Sequence, residues 1–143
     1  MAPRTLYLIK RAETEVTSRM ASALEKHTIT PIQFAVLYFV DNDKNDLSSA
    51  QLSRRFLMTP QSMNELVAVL EKKKLLKKSV DPAHRRILRI SLTAKGRKLL
   101  EDCNTLMDAV EEELLQGLTN AERDALKNIL GKILEASRQA APN

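Results

Sequence analysis

The stretch of sequence that decides the fold is residues 48–93, SSAQLSRRFLMTPQSMNELVAVLEKKKLLKKSVDPAHRRILRISLT. Ser48 and the glutamine three positions later form a capping box, in which each side chain satisfies a free N–H at the start of a helix. Thr59 followed by Pro60 marks the start of a second helix. Apolar residues at helical spacing extend this second helix to about Lys74. Two helices joined by three or four residues form a helix-turn-helix.

The spacing of apolar residues changes from helical to alternating after the second helix. Leu88, Ile90 and Leu92 are separated by single residues and are expected on one face of a strand. Residues 75–80 supply a partner strand, and the turn residues 81–84 lie between the two. The sequence therefore predicts a small β-hairpin directly after the helix-turn-helix.

Long helices are predicted on both sides of this core stretch. Apolar residues recur at helical spacing from position 5 to about 26, and Thr30 begins another helix with a capping box. That helix ends at a polar loop, 41–46. Thr93 caps a long helix with Gly96 in its first turn, where glycine costs the helix little, and Thr119 begins the last helix. The expected fold is mainly α-helical with one small β-hairpin.

The positive charge of the chain is concentrated in one segment. The formal charge is +5, from 23 Lys and Arg against 18 Asp and Glu, yet residues 72–98 alone hold 11 basic side chains and a single acid, Asp81. A double helix presents a dense line of phosphates, and neutralising them releases counterions. A basic hairpin beside a helix-turn-helix therefore predicts a DNA-binding protein and one DNA-facing surface. Lysines 72–74 have a second explanation, since they also complement the dipole at a helix C-terminus.

Length and composition exclude several classes of protein. With 143 residues, 43% of them hydrophobic, the chain is expected to form one domain with its own core. Cys103 is the single cysteine, which excludes an internal disulfide and a cysteine-based zinc site, and we expect it to be a small buried residue rather than a redox sensor. Two distant histidines and three glycines form neither a catalytic cluster nor a phosphate loop, so we expect no enzyme, no metal and no cofactor. The sequence has no membrane span and no signal-peptide core, so we expect a soluble cytoplasmic protein that does not contact a membrane.

Four segments in order resemble signature segments of the MarR family of transcriptional regulators. They are residues 30–37, 66–76, 81–86 and 92–96, and the resemblance covers about residues 5–135. It implies a winged helix-turn-helix with N- and C-terminal dimerisation helices: a single domain over 1–143, with 30–98 as the DNA-binding lobe and 5–29 and 99–138 as dimerisation helices. It also implies a homodimeric repressor that leaves a palindromic operator on double-stranded DNA when a small aromatic or phenolic ligand binds.

Two positions depart from the family pattern. Family members usually have glycine where this chain has Lys74, which puts the turn after the second helix in question. His84 stands where the family usually has an aspartate that holds the arginine of the wing, and a neutral histidine supplies no such charge. The sequence leaves open whether Asp81 takes over that role and whether His84 weakens DNA binding.

Candidate DNA-binding residues lie in two groups. Side chains in the first turns of a recognition helix reach base edges, and those of the wing reach the minor groove or phosphates. In the helix the candidates are Thr59, Pro60, Gln61, Ser62 and Asn64, and in the wing they are Lys77, Lys78, Arg85 and Arg86. Arg86 resembles the family's wing-tip arginine. The alternative for the helix is an ordinary polar solvent face, and for the wing it is a solvated loop.

Candidate ligand and dimer residues come from the flanking helices. Arg11 resembles an arginine of family members that respond to aromatic acids, and its alternative is an ion pair with Glu15. Met20, His27 and Tyr38 are further candidates for lining the pocket, each with an ordinary core or surface role as the alternative. The apolar positions of the terminal helices exceed what a small winged lobe buries, which favours pairing with a second chain over packing within the monomer.

Two other functions fit the same residues. One is a DNA-binding regulator or architectural protein of this fold without a small-molecule inducer. The other, from a different class, is a basic helical adaptor that binds RNA or an acidic protein. Binding to a palindromic duplex, compared with random duplex and RNA at fixed salt, discriminates among these readings.

Overall fold

The computed structural model describes residues 1–43 and 47–140, and within these the fold is mainly helical with one antiparallel hairpin, as expected. A single 3₁₀ turn, Glu25–His27, follows the first helix. None of the helices in the described ranges is long and apolar enough to cross a membrane. The elements in chain order are α1 Thr5–Leu24, α2 Pro31–Asn42, α3 Ser49–Arg55, α4 Pro60–Lys72, β1 Leu76–Val80, β2 Leu88–Leu92, α5 Ala94–Leu115 and α6 Asn120–Ala140.

The helices begin where the capping residues predict. Thr30 and Gln33 form both hydrogen bonds of a capping box, with Gln33 N donating to Thr30 Oγ1 at 3.3 Å and Thr30 N to Gln33 Oε1 at 3.1 Å. Ser48 forms the same box at the start of α3. Thr119 Oγ1 accepts from the backbone N–H of Glu122 at the start of α6. The polar loop predicted over 41–46 lies in part outside the described residues, which exclude 44–46.

The hairpin pairs β1 with β2 in the register Leu76 to Leu92 through Val80 to Leu88. Ile90 and Leu92 are buried, as the alternation predicts, but Leu88 is exposed because the hairpin extends beyond the core at that end. The connecting loop is 81–87, longer than the expected 81–84. Backbone N–H of Ile90 also donates to the carbonyl of Leu47 at 2.9 Å, which attaches the hairpin to the segment before α3.

The chain divides into two compact units, Met1–Asp108 and Ala109–Asn143. The first unit holds the hydrophobic core, to which every element from α1 to α5 contributes. Its fully buried side chains include Leu24, Leu37, Leu52, Met63, Leu70, Ile90 and Leu100. Cys103 is also buried, as predicted, and burial raises the pKa of its thiol.

The second unit has no fully buried side chain among its described residues. Arg123 on α6 makes a bidentate ion pair with Glu112 on α5, with N–O distances of 2.8 and 3.0 Å. The hydrogen bonds from Arg123 hold the pKa of Glu112 below its usual range. The described residues of this unit are therefore joined by polar contacts and form no buried core of their own.

The turn from α4 into β1 keeps a left-handed residue although no glycine is present. Lys74 has φ +61°, and the N–H groups of Lys74 and Leu75 donate to the carbonyls of Glu71 and Leu70. This pair of hydrogen bonds is a Schellman motif, which ends a helix with a residue in the left-handed region. The departure at Lys74 therefore leaves the turn intact and places a lysine in strained backbone.

Candidate nucleic-acid interface

The N-terminal turns of α4 present the five candidate residues of the recognition helix on an exposed face. Thr59, the N-cap, accepts a hydrogen bond from Ser62 N at 3.1 Å and donates one to Ser62 Oγ at 2.9 Å. On the opposite face, Met63 and Val67 are buried in the core, so packing fixes the orientation of the helix. The exposed residues are Thr59, Pro60, Gln61, Ser62 and Asn64. Their contact with DNA stays a prediction.

Sequence reasoning missed Ser49, which positions one of these candidates. The hydroxyl of Ser49 on α3 donates to Asn64 Oδ1 on α4. The Asn64 amide keeps both N–H donors and one acceptor lone pair for another partner. A contact between residues 15 positions apart in sequence thus holds this amide at the surface of the helix-turn-helix. No short sequence pattern signals such a pairing.

The wing, defined as β1, β2 and the loop 81–87, displays its basic residues on different faces. Lys77 and Lys78 are neighbours in a strand and therefore project to opposite sides. Lys78 turns toward α4, where its ammonium lies 3.3 Å from the carboxylate of Glu71. Arg85 and Arg86 are exposed in the loop and have no ion pair among the described residues. Of the four wing candidates, only Lys78 is thus held against α4 by an ion pair.

Asp81 organises the wing loop, but through Arg89 rather than Arg86. Only 4% of Asp81 is exposed, and its carboxylate accepts from the N–H of Ala83 at 2.9 Å and from Arg89 Nη2 and Nε at 2.7 and 3.1 Å. The Ala83 N–H and the Arg89 guanidinium hold the pKa of Asp81 below its usual value. In this chain Asp81 supplies a carboxylate to the wing, and the arginine that it binds is Arg89.

The basic segment is divided among several partners. Arg97 lies 3.6 Å from a carboxylate oxygen of Asp41, in addition to the pairs of Lys78 and Arg89 described above. Three further lysines line a cavity of about 420 Å³ at the base of the wing, which we call the wing-base cavity. The single DNA-facing surface expected from the charge count stays a prediction, and part of its charge is paired with carboxylates of the same chain.

The four ligand candidates lie in different surroundings in the part of the chain that the structure describes. His27 lines the wing-base cavity, whereas Arg11, Met20 and Tyr38 do not. Met20 packs against the core, and Tyr38 contacts the ring of Phe34. The alternative considered for Arg11 is an ion pair with Glu15. Among the described residues, Glu15 instead binds Arg19, at 2.8 Å. The ligand role of the four residues stays a prediction.

Within residues 1–43 and 47–140, the structure contains no group of three or more His, Cys, Asp or Glu side chains that could hold a metal ion.

Comparisons with known proteins agree with this geometry. The model of the MarR family matches residues 27–87. The transcriptional regulator MhqR of Bacillus subtilis is 28% identical over 126 residues, which cover 88% of this chain and 86% of MhqR. The crystal structure of the S. aureus MepR–DNA complex superposes with a TM-score of 0.84 at 27% identity, covering 94% of this chain and 99% of that chain.

A second solved structure extends the comparison to a ligand complex. The Mycobacterium tuberculosis protein Rv2887 in complex with salicylic acid has a TM-score of 0.73 at 27% identity, over 92% of this chain and 97% of that chain. The matching family and these relatives are regulators and not enzymes. The chain is therefore similar, in sequence and in fold, to the winged helix-turn-helix transcriptional regulators of the MarR family.

Proposed function

We propose that this regulator is a homodimeric repressor that binds a palindromic operator and is released by a small aromatic acid or phenolic ligand. The observation that supports DNA binding most strongly is the exposed N-terminus of α4 beside a wing whose Arg85 and Arg86 have no ion pair in the described ranges. The relative MepR was crystallised with DNA, in a fold that superposes on this one. We expect the protein to act in the cytoplasm, where its DNA target lies.

The base-reading residues in this proposal are Gln61, Ser62 and Asn64. Amide side chains pair with adenine in the major groove by donating to N7 and accepting from N6. Ser49 supports this reading for Asn64, since it holds Oδ1 while leaving the amide donors free. Thr59 and Pro60 lie at the start of the helix, where phosphate contacts set the register on the duplex.

The wing supplies the remaining contacts of the proposed interface. Arg86 enters the minor groove, where a narrow A-tract deepens the negative potential. Arg85, Lys77 and Lys78 contact phosphates, with Lys78 held against α4 by Glu71. The Asp81–Arg89 pair joins the start of the loop that carries Arg85 and Arg86 to β2.

Dimerisation in this proposal involves residues 5–29 and 99–138 of a single domain over 1–143, with 30–98 as the DNA-binding lobe. Both α1 and α6 have exposed apolar side chains. Each set supports the dimerisation proposal, because contiguous apolar surface marks interaction sites. On α1 they are Leu6, Tyr7, Leu8 and Ile9, and on α6 they are Ile129, Leu130, Ile133 and Leu134. A two-fold dimer presents two recognition helices to two half-sites.

The ligand part of the proposal rests on the relative Rv2887, which was crystallised with salicylic acid. In this chain, the residues proposed to line the ligand site are Arg11, Met20, His27 and Tyr38. A ligand releases DNA only when it binds the DNA-incompetent dimer more tightly than the competent one. If salicylate leaves the affinity for the operator unchanged, salicylate is excluded as the inducer. The alternative, a regulator of the same fold without an inducer, is then supported instead.

The proposed function is tested by selecting bound duplexes from a random library at fixed salt. We expect an inverted repeat whose half-sites are about 10 base pairs apart, centre to centre. Fluorescence anisotropy then compares the selected duplex with a scrambled duplex and with RNA. Equal affinity for the three nucleic acids would contradict sequence-specific binding and favour a non-specific basic adaptor.

Two variants separate the wing from the recognition helix. Arg86→Ala is expected to weaken binding of the selected duplex by about 1–3 kcal/mol while leaving the dimer intact in sedimentation. Asn64→Ala is expected to relax the base preference at one position of each half-site, so a uniform loss across all sequences would make it a positioning contact only. Lys127→Gln, an exposed lysine on α6, is the matched control and should leave binding unchanged.

A further inference from the structure

The outward face of α4 is determined by the residues that the helix buries. Met63, Val67 and Leu70 are buried in the core. Because an α-helix turns about 100° per residue, Glu65 lies about 190° around the axis from the mean direction of these three side chains. Glu65 is exposed, as this position requires. It therefore lies at the centre of the face that α4 turns away from the core.

Three of the proposed base-reading residues surround Glu65 on this face. Gln61 lies one turn earlier and within about 30° of the outward direction, whereas Ser62 and Asn64 lie about 100° from the buried direction, on opposite edges of the face. The hydrogen bond from Ser49 on α3 to Asn64 agrees with that edge position. In the first two turns of α4, Gln61 and Glu65 are thus the side chains that project most directly outward.

Glu65 differs from the other acids of the helix-turn-helix and wing in having no cation beside it. Within residues 47–98 the other acids are Glu71, whose carboxylate lies 3.3 Å from Lys78, and Asp81, which lies 2.7 Å from Arg89. Glu65 makes no hydrogen bond or ion pair with the residues that the structure describes. The residues three and four positions before and after it on the helix carry no positive charge either.

An unpaired carboxylate at the centre of this face opposes DNA binding in general. It repels phosphates, and its removal from water costs free energy unless a hydrogen-bond donor replaces the water. In the major groove the base edges offer two kinds of donor, the amino groups of cytosine and adenine. The amino group of adenine lies beside N7, an acceptor that repels a carboxylate, whereas that of cytosine lies beside C5–H. Cytosine is therefore the base whose edge suits Glu65.

We propose that Glu65 is a specificity-determining residue, whose carboxylate accepts a hydrogen bond from the N4 amino group of one cytosine in each half-site. This inference rests on the proposed function, because it requires α4 to enter the major groove. The charge of Glu65 lowers the affinity for every sequence, and the cytosine contact restores affinity on the operator alone. Glu65 thereby increases discrimination between sequences rather than overall affinity.

The test repeats the selection from a random library, at fixed salt, with wild type, Glu65→Gln and Glu65→Ala. Both replacements are good helix formers at an exposed position, so both variants should remain folded in circular dichroism. For wild type we expect cytosine at one position of each half-site. Glu65→Gln should change that base to adenine, because an amide donates to N7 and accepts from N6. Glu65→Ala should show no preference at that position.

Fluorescence anisotropy measures the size of the effect. Replacing the selected cytosine by thymine in both half-sites should weaken wild-type binding about tenfold or more, and binding of Glu65→Ala by less than about twofold. Glu65→Ala should bind scrambled duplex at least as tightly as wild type does, because a charge that repels phosphates is gone. Glu71→Gln removes the same charge from the same helix and is the matched control. It should keep the preference for cytosine.

Two results would overturn the role of Glu65. One is an unchanged base preference in Glu65→Ala and Glu65→Gln, including the case in which affinity rises equally for every duplex, since Glu65 would then act on phosphates alone. The other is loss of a preference for a base other than cytosine. In both cases wild type still selects an inverted repeat, so the proposed function stands. Failure of wild type to select any sequence would overturn both proposals.

Discussion

Replacing Gly96 by alanine tests how closely α5 approaches the base of the wing. A Cβ at Gly96 would overlap the backbone carbonyl oxygen of Leu75. That carbonyl is not free to move away, because it accepts a hydrogen bond from Thr93 N at 3.1 Å. Thr93 in turn caps α5 by accepting from Gly96 N at 2.9 Å. The substitution must therefore displace either the start of α5 or the residue that leads into β1.

The expected cost follows from two opposing effects. Overpacking against well-ordered atoms costs about 1–3 kcal/mol. Alanine gains up to about 1 kcal/mol over glycine in a helix interior, and less in the first turn where Gly96 lies. We therefore expect Gly96→Ala to lower the free energy of unfolding by about 1–2 kcal/mol, and Tm by about 2–8 °C for a chain of this length.

Gly131→Ala on α6 is the matched control, because the same substitution there should have the opposite sign. A Cβ at Gly131 meets no atom within 4 Å, so the full helix propensity of alanine is gained, about 1 kcal/mol. Urea unfolding followed by circular dichroism at equal protein concentration measures both variants. An unchanged or raised urea midpoint for Gly96→Ala, beside the expected gain for Gly131→Ala, would refute the close approach to Leu75.

Three further predictions concern the turn, the wing and the helix-turn-helix. Lys74→Gly should raise the free energy of unfolding by about 0.5–1 kcal/mol, because it removes left-handed strain, whereas Lys74→Ala retains the strain and should show no such gain in urea unfolding. The pKa of Asp81 is lowered in the folded state, so its stabilising effect is present above its ordinary value of 3.8 and is lost as the pH falls through the lower folded value. The urea midpoints of wild type and Asp81→Asn should therefore differ at neutral pH and converge in acid, and a constant difference would contradict the ion pair. Ser49→Ala should weaken binding of the selected duplex by about 0.5–1.5 kcal/mol through loss of the Asn64 hydrogen bond, with equal loss on scrambled duplex counting against a positioning role.

The helix starts and the hairpin were predictable because their causes lie within a few residues of one another. The caps at Thr30, Ser48 and Thr59 each bind a backbone N–H three positions ahead, so the sequence pattern contains the whole interaction. The alternation of Ile90 and Leu92 predicted the buried face of β2 for a similar reason. Leu88 is exposed although Ile90 and Leu92 are buried, because alternation predicts a face but not how far along it the core extends.

The sequence by itself determined the order of the elements, the capping residues and the position of the basic segment. Only the tertiary structure decided which basic side chains pair with a carboxylate of the same chain. The partner of Arg89 is Asp81, across the wing loop, and the partner of Lys78 is Glu71, on another element. Gly96 acquires its role from Leu75, which is 21 positions away. These contacts depend on strand register and helix packing, which bring distant residues together and leave no local pattern in the sequence.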